Sequence, residues 1–354
     1  ESDKTGGGDN EAVVFQYSTT LNLNTSFSGR DLLYTRIKTG NFATPFSSKT
    51  NNSYLAAANS NGNTLKVDKI WYQFPVGDNL KFWVGPRIEN YYMLASAPSI
   101  YKPVLKAFAL GGNGAAYGSS TDGGFGAAWI QSKDDPSEAR FAVSTNYASK
   151  GATSADNETG GALFTDAQSK WLTQVEYGSA QWKVLGAVSV NNCTKVDGSQ
   201  SCKVWTDYYS TEKGKSRTGN TTAYGLRAYW QPEETGAIPS VQFGYDFATI
   251  DDDGATGSVE DTAQWMVGLT WKDAFIEGNR LGAAFGQRQY ATEIVGGADD
   301  PADDNFVWEL YYDFKVSDNI TVTPAIFGGE DTYDGASDSS DDVFGGLIQT
   351  TFKF

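Results

Sequence analysis

Along most of this chain apolar and polar residues alternate one for one. That is the period of a strand with one face in an apolar medium and the other in water. At the end of the chain Phe344, Gly346, Ile348, Thr350, Phe352 and Phe354 share one face, and Val343, Gly345, Leu347, Gln349, Thr351 and Lys353 share the other. Near the start Val13, Phe15, Tyr17, Thr19, Leu21, Leu23, Thr25 and Phe27 alternate with Gln16, Ser18, Thr20, Asn22, Asn24 and Ser26. The pattern predicts a first strand over 13–27. Further strands follow at about 30–39, 65–76, 80–87, 123–132, 139–148, 170–178, 181–190, 221–231, 238–248, 259–272, 280–290, 305–314, 319–328 and 343–354. A strand over 13–27 far exceeds the ~5–6 residues common in globular sheets. It suits a tilted strand that crosses an apolar band of ~25 Å.

Connections between these segments alternate in length. Short ones cover 76–79, 134–137, 178–180 and 315–319; long ones cover 40–64, 88–122, 149–169, 191–220, 291–304 and 329–342. Short turns at one end and long loops at the other are the layout of outer-membrane barrels. The expected fold class is therefore all-β, a transmembrane antiparallel β-barrel. Fifteen strands are readable, and a bacterial barrel normally closes on an even number, so sixteen are expected. The barrel would span 13–354, with 1–12 an external N-terminal segment. The chain opens Glu1-Ser2-Asp3-Lys4 without Met, which predicts a processed or truncated product whose preceding segment supplies the remaining strand. The rival is a soluble sandwich, but its core is too limited to take so many long strands.

Composition removes other classes. The chain has 354 residues and no His, which excludes His-based nucleophile chemistry and His-ligated metals. No nucleophile–base pair can be assembled, so no enzyme is expected. The net charge is −16, which argues against nucleic acid as a partner. No segment approaches the ~18 apolar residues of a membrane helix, a test to which barrels are blind.

The charge is unevenly spread. Three long loops hold the whole excess: Asp251, Asp252, Asp253, Glu260 and Asp261; Glu293, Asp299, Asp300, Asp303 and Asp304; and Glu330, Asp331, Asp334, Asp338, Asp341 and Asp342. Simple solvation explains these acids. The functional alternative is a cation-attracting mouth, or Ca²⁺ or Mg²⁺ held by Asp251–Asp253 and by Asp299, Asp300, Asp303 and Asp304. No other cofactor is expected. The polar strand faces carry mainly cations: Arg36, Lys38, Lys81, Arg87, Arg140, Lys183, Arg227, Arg280 and Arg288, against Glu176, Asp246, Glu309 and Asp313. They read either as a basic ladder that guides anions or as charges that pair along a wet wall. In the first reading Arg36, Arg87 and Arg288 give the channel a weak anion preference.

The connection 88–122 contains Tyr91, Tyr92, Met93, Tyr101, Lys102, Leu105, Lys106 and Phe108, and is too aromatic for a disordered loop. It is expected to fold into the lumen as a constriction; the alternative is a surface loop at a trimer contact. Trp71, Tyr72, Trp83, Trp171, Tyr177, Trp182, Trp230, Trp271, Trp308 and Tyr312 lie near strand ends and read as interfacial girdles. Their alternative, a track for sugars, requires rings that face the lumen.

Two stretches resemble a known family. Phe27-Ser28-Gly29-Arg30-Asp31-Leu32-Leu33-Tyr34-Thr35-Arg36-Ile37, followed by Thr39-Gly40-Asn41, is similar to a hairpin of cyanobacterial outer-membrane porins that carry an S-layer-homology domain. Tyr72-Gln73-Phe74-Pro75-Val76-Gly77-Asp78-Asn79-Leu80 with Val84-Gly85-Pro86 resembles their next hairpin, and Phe352-Lys353-Phe354 resembles their end. The similarity covers Val13 to Phe354 and extends distantly to carbohydrate-type porins. It implies a trimeric diffusion channel in a Gram-negative-type outer membrane, with lipid and lipopolysaccharide around it. It also implies a peptidoglycan-binding domain, a coiled-coil linker and a first strand, none of which this sequence shows. The expected function is passive passage of inorganic ions and small hydrophilic solutes. Alternatives are an envelope anchor with a blocked lumen, a carbohydrate-selective porin, and a soluble glycan-binding β-protein.

Cys193 and Cys202 share the long loop 191–220. Their short spacing suggests a disulfide in an oxidising compartment, with two unpaired thiols as the alternative. Closing so short a loop contributes ~2–3 kcal/mol at most. Mass spectrometry of unreduced peptides is expected to show the Cys193–Cys202 cross-link; two thiols open to alkylation would refute it.

Overall fold

A computed structural model of the chain describes residues 12–43, 54–112, 115–118, 121–135, 137–155, 161–163, 168–192, 220–251, 259–296, 306–329 and 343–354. The strands are β1 (Ser18–Thr25), β2 (Leu32–Phe42), β3 (Asn59–Ser60), β4 (Lys66–Val76), β5 (Leu80–Ile88), β6 (Asp122–Ile130), β7 (Arg140–Ser149) and β8 (Ser169–Gly178). They continue with β9 (Trp182–Asn192), β10 (Asn220–Trp230), β11 (Ser240–Asp251), β12 (Val259–Lys272), β13 (Arg280–Ile294), β14 (Phe306–Lys315), β15 (Ile320–Gly329) and β16 (Val343–Phe352). Fifteen of them follow one another in a single ladder in chain order, and β3 pairs with β2 off that path. The architecture is an all-β transmembrane barrel wall.

Alternation drives the wall as the sequence predicts. In β9 the exposed Val184, Val188 and Val190 point away from the buried Leu185, Ala187, Ser189 and Asn191. Polar residues on the buried face and aliphatic ones on the exposed face invert the soluble pattern, because the outer solvent is hydrocarbon. Aromatic rings join neighbouring strands outside the wall at two heights. Phe125, Tyr147 and Trp171 form one row, with centroids 5.7 and 5.8 Å apart, and Phe141, Tyr177 and Trp182 form the other, at 4.4 and 5.6 Å. Two such rows mark the two edges of the apolar band. Trp71 and Trp83 depart from the girdle expectation. Both are buried on the inward face beside Ile88, Met93 and Ala128, because the chain between β5 and β6 returns to cover them.

The first strand is shorter than 13–27 for identifiable reasons. At its upper end the Tyr17 N–H donates to the Asn41 side chain at 2.9 Å, and the Tyr17 carbonyl accepts from both Asn41 and Phe42, so the ladder stops. At its lower end Asp31 organises the turn. Its Oδ1 accepts from the Ser26 and Ser28 hydroxyls and from the Phe27 and Ser28 N–H groups, and its Oδ2 accepts from the Tyr72 hydroxyl at 2.6 Å. The Tyr72 hydroxyl and then the Ser28 N–H hold the Asp31 carboxyl well below the usual carboxylate range.

All neighbour pairings on the ladder are antiparallel, from β1 with β2 to β15 with β16. The first and fifteenth strands of such a path run parallel to each other, and among the described residues they do not pair. Backbone groups left open in hydrocarbon would cost several kcal/mol each. A density map of the channel in lipid is therefore expected to show one further strand between β1 and β16, antiparallel to both. Direct pairing of β1 with β16 is the contrary outcome.

Candidate functional site

Between β5 and β6 the chain turns back across the inward face of the wall. It begins in a short 3₁₀ turn, Asn90–Tyr92, where buried Asn90 donates to Asn146 Oδ1 at 2.8 Å and to the Lys170 carbonyl at 3.2 Å. The Ala95 N–H donates to Ser144 Oγ at 2.7 Å, and the Ser96 hydroxyl donates to Glu176 at 2.6 Å. These bonds fasten the first stretch to β7 and β8. The Ile100 N–H then meets Gln242 of β11 at 2.9 Å, and the Tyr101 hydroxyl reaches Glu309 of β14 at 2.8 Å. A second 3₁₀ turn, Lys106–Gly111, leads back: Arg227 of β10 donates to the Leu110 carbonyl at 2.9 Å. Lys170 of β8 donates to the Ala115 carbonyl at 2.9 Å and to the Gly118 carbonyl, and Tyr117 donates to Gln174 at 2.8 Å. The loop thus follows the inside of the wall from β7 to β14 and returns to β8.

Apolar packing backs each part of that path. Met93 joins Trp71, Trp83 and Ile88; Leu94, Ala115, Ala116 and Tyr117 meet Leu172, Ala187, Ala223 and Ala248; and Tyr101, Leu105 and Phe108 meet Met266, Val307, Tyr311 and Phe327. Gly244 is required under the second turn, since a Cβ there would collide with the Gly111 carbonyl.

The charges expected on the lumen wall divide into several kinds. Arg227 is fully buried and makes a bidentate pair with Asp246, with both N–O distances 2.9 Å, below the Tyr117 ring. Glu176 is buried and pairs with Lys183 at 3.0 Å. Glu309 is buried against the loop. Arg280 pairs with Asp313 low on the wall, and Arg288 is buried in β13. Lys81 lies 5.8 Å from the Trp83 ring, and Arg140 is exposed at the turn end of β7. On β2, β4 and β5 the arrangement is different. Arg36 donates to Asp68 at 2.5 Å and to the Tyr92 hydroxyl at 3.1 Å. Lys69 is buried, ion-paired with Glu89, and 5.3 Å from the Tyr92 ring. Arg87 is exposed, with its Nε on the Asp68 carbonyl at 3.3 Å. Lys38 stands opposite Lys66 in the ladder, and no salt-bridge partner of either lies among the described residues.

Of the loop residues, Tyr91 donates to Glu89 at 2.6 Å, Lys102 is exposed, and Phe108 is buried. The Lys106 N–H donates to the Tyr54 carbonyl at 2.7 Å. Cys193, Cys202, Asp252, Asp253, Asp299, Asp300, Asp303 and Asp304 lie outside the described residues, and Asp251 ends β11 exposed. Sequence reasoning passed over Asp68, Lys69, Glu89 and Lys170. Lys170 had a usable signal, since it shares parity with Leu172, Gln174 and Glu176. Asp68 had none, because a bulge between Arg36 and Ile37 in the pairing with β4 inserts it.

A membrane barrel whose lumen is narrowed by an inward loop is a channel of the porin class. The model of the carbohydrate-selective porin, OprB family matches residues 3–354, and the chain belongs to that family. Its members are channels and not enzymes. An uncharacterised protein of Nostoc sp. is 26% identical over 98% of this chain, and one of Synechocystis sp. is 22% identical over 99%. The chain spans 62% and 66% of those relatives' lengths. Among solved structures, Pseudomonas putida OprB aligns with TM-score 0.57 at 14% identity, covering 95% of this chain and 87% of that one. Salmonella typhi OmpF aligns with TM-score 0.58 at 13% identity, covering 98% and 93%. The trimer form of Vibrio cholerae OmpT aligns with TM-score 0.55 at 13% identity, covering 96% and 87%. These likenesses show the fold. Membership in this porin family, with its transmembrane barrel, places the protein in the outer membrane.

The Arg227–Asp246 pair gives this subsection its test. Asp246→Asn strands a buried guanidinium, a change that costs roughly 3–5 kcal/mol. The heat-modifiability transition of the folded barrel on gels is expected to fall clearly in temperature. An unchanged transition would show that the pair bears no weight.

Proposed function

We propose that this porin passes inorganic ions and small hydrophilic solutes by passive diffusion, with a weak preference for anions. One observation carries the reading. On the wall of β2, β4 and β5, five cations, Arg36, Lys38, Lys66, Lys69 and Arg87, surround two carboxylates, Asp68 and Glu89. Like charges placed directly across a ladder, as Lys38 and Lys66 are, cost stability. A channel that attracts anions has a use for that positive surplus. Partly exposed rings at the same wall, Tyr34, Tyr91 and Tyr92, the last two 5.0 Å apart, favour a second reading in which a sugar ring stacks on the way through. Similarity to the S-layer-homology porins supports a homotrimer, with lipopolysaccharide around it and peptidoglycan as the envelope partner.

On this reading the acids of the long connections stand at the mouth, and at ~0.15 M salt their field decays over ~8 Å. Charges beside the passage are screened less, so they decide the sign. Reversal potentials across a KCl gradient are expected to show weak anion preference at moderate salt, drifting toward cations as ionic strength falls. Neutralising Lys38, Lys66 and Arg87 together should abolish the anion preference. Cation preference unchanged by that triple variant would reject the model. Current block by added sugars, absent in the ion reading, would select the second one.

A further inference from the structure

The segment Val104–Gly112 is gripped at both ends by charged side chains that a diffusion channel has no need to bury. At the start, Glu309 Oε1 accepts from the Tyr101 hydroxyl at 2.8 Å and the Val104 N–H at 3.2 Å, and Oε2 accepts from the Leu105 N–H at 2.6 Å. Three donors converge on one carboxyl group, which is the pattern of its ionised, acceptor-only form. The two N–H groups precede the 3₁₀ turn Lys106–Gly111, where no turn carbonyl can satisfy them. At the end, Arg227 holds the Leu110 carbonyl and is itself held by Asp246. Leu110 has φ 59°, a conformation that persists only where its surroundings impose it.

The same segment has a second attachment. Leu55, in the connection between β2 and β4, forms an antiparallel bridge with Leu105. The Ala56 N–H donates to the Val104 carbonyl, and the Lys106 N–H to the Tyr54 carbonyl, both at 2.7 Å. Wall, inward loop and first external loop therefore meet at three consecutive residues, and Glu309 is the one wall group among the described residues that bonds the backbone there. The apolar cluster around Phe108 presses this segment against the wall, but apolar contact is non-directional and sets no register. Hydrogen bonds to a charge do.

We infer that Glu309 is a positioning residue for permeation: it locks this junction and so sets the width of the passage, with Arg227 fixing the far end of the segment. This rests on the reading of the chain as an open diffusion channel. The test uses the complete channel in lipid and reads unit conductance together with amide exchange. Glu309→Gln preserves shape but turns an amide NH₂ toward the N–H donors. It is expected to give a larger and noisier unit conductance. Protection at Leu105 should fall by roughly tenfold or more, the size of losing a hydrogen bond to a charge. Ala56 and Lys106 should lose protection with it, because the bridge opens. Tyr101→Phe removes a single donor and should move both readouts less, in the same direction. Glu309→Asp covers the case in which the amide variant does not fold, since it keeps the charge and withdraws it from the segment. Lys133→Gln, in an exposed turn, should change neither readout. Unchanged conductance in both Glu309 variants overturns the inference, whether or not Leu105 is released. A wild-type protein that conducts nothing, with a Glu309 variant that opens it, defeats the diffusion reading and upholds the clamp.

Discussion

Every backbone N–H and C=O in hydrocarbon must be paired within the protein, and the rest of this structure depends on that requirement. It selects a continuous antiparallel ladder and places apolar side chains outside. The inner face is then left polar along every strand. A lumen of this circumference is too wide for wall side chains to fill and selects little among small solutes. The chain between β5 and β6 answers this by lying along the inside of the wall. Its own backbone groups then need partners away from bulk water, and the wall supplies them through Asn146, Ser144, Gln242, Glu309, Arg227 and Lys170. Inner polarity, a by-product of membrane solvation, becomes the adhesive for the constriction.

The adhesive role changes what the inner charges do. Removing an ion pair from water costs several kcal/mol per ion, and good geometry offsets much of it without making the pair a strong source of stability. Arg227 with Asp246, and Glu176 with Lys183 and Ser96, meet that condition while fixing a loop segment. Such groups have little field left to offer a passing ion. The charges that remain available stand where the loop leaves the wall uncovered or is itself exposed: Lys38, Lys66, Arg87 and Lys102.

Alternation made the strands legible, because a period of two survives any tilt or curvature. The ends of strands were less so. Asn41 and Asp31 stop β1 with side-chain bonds to the backbone, and such bonds leave no trace in hydropathy. The bridge of β3 to β2 falls inside a predicted loop for the same reason. Trp71 and Trp83 could not be told from girdle residues, since only the return of a distant loop decides which side of the wall is dry. Of the cations that parity assigns to the polar faces, Arg36, Lys183 and Arg227 meet the inward chain at Tyr92, Ser96 and Leu110. Which of them would be covered was invisible, because covering depends on contacts such as Glu309 with Tyr101, 208 positions apart.

The net charge of −16 does not describe the inner wall of this molecule. Most of the excess acids fall in connections outside the described residues, while Asp251, Glu260, Asp261 and Glu293 lie at the ends of β11, β12 and β13. Within the barrel the wall of β2, β4 and β5 has the opposite sign. On the proposed reading, with those acids at the mouth, a cation would be concentrated there and meet repulsion further in, and an anion the reverse. Two barriers of opposite sign in series would give weak selectivity, and their different exposure to salt would make the balance depend on ionic strength. Strong selectivity would need one charge set to extend along the whole path. The structure instead uses several of its inner charges, Lys170, Glu176, Lys183, Arg227 and Glu309 among them, to hold the loop.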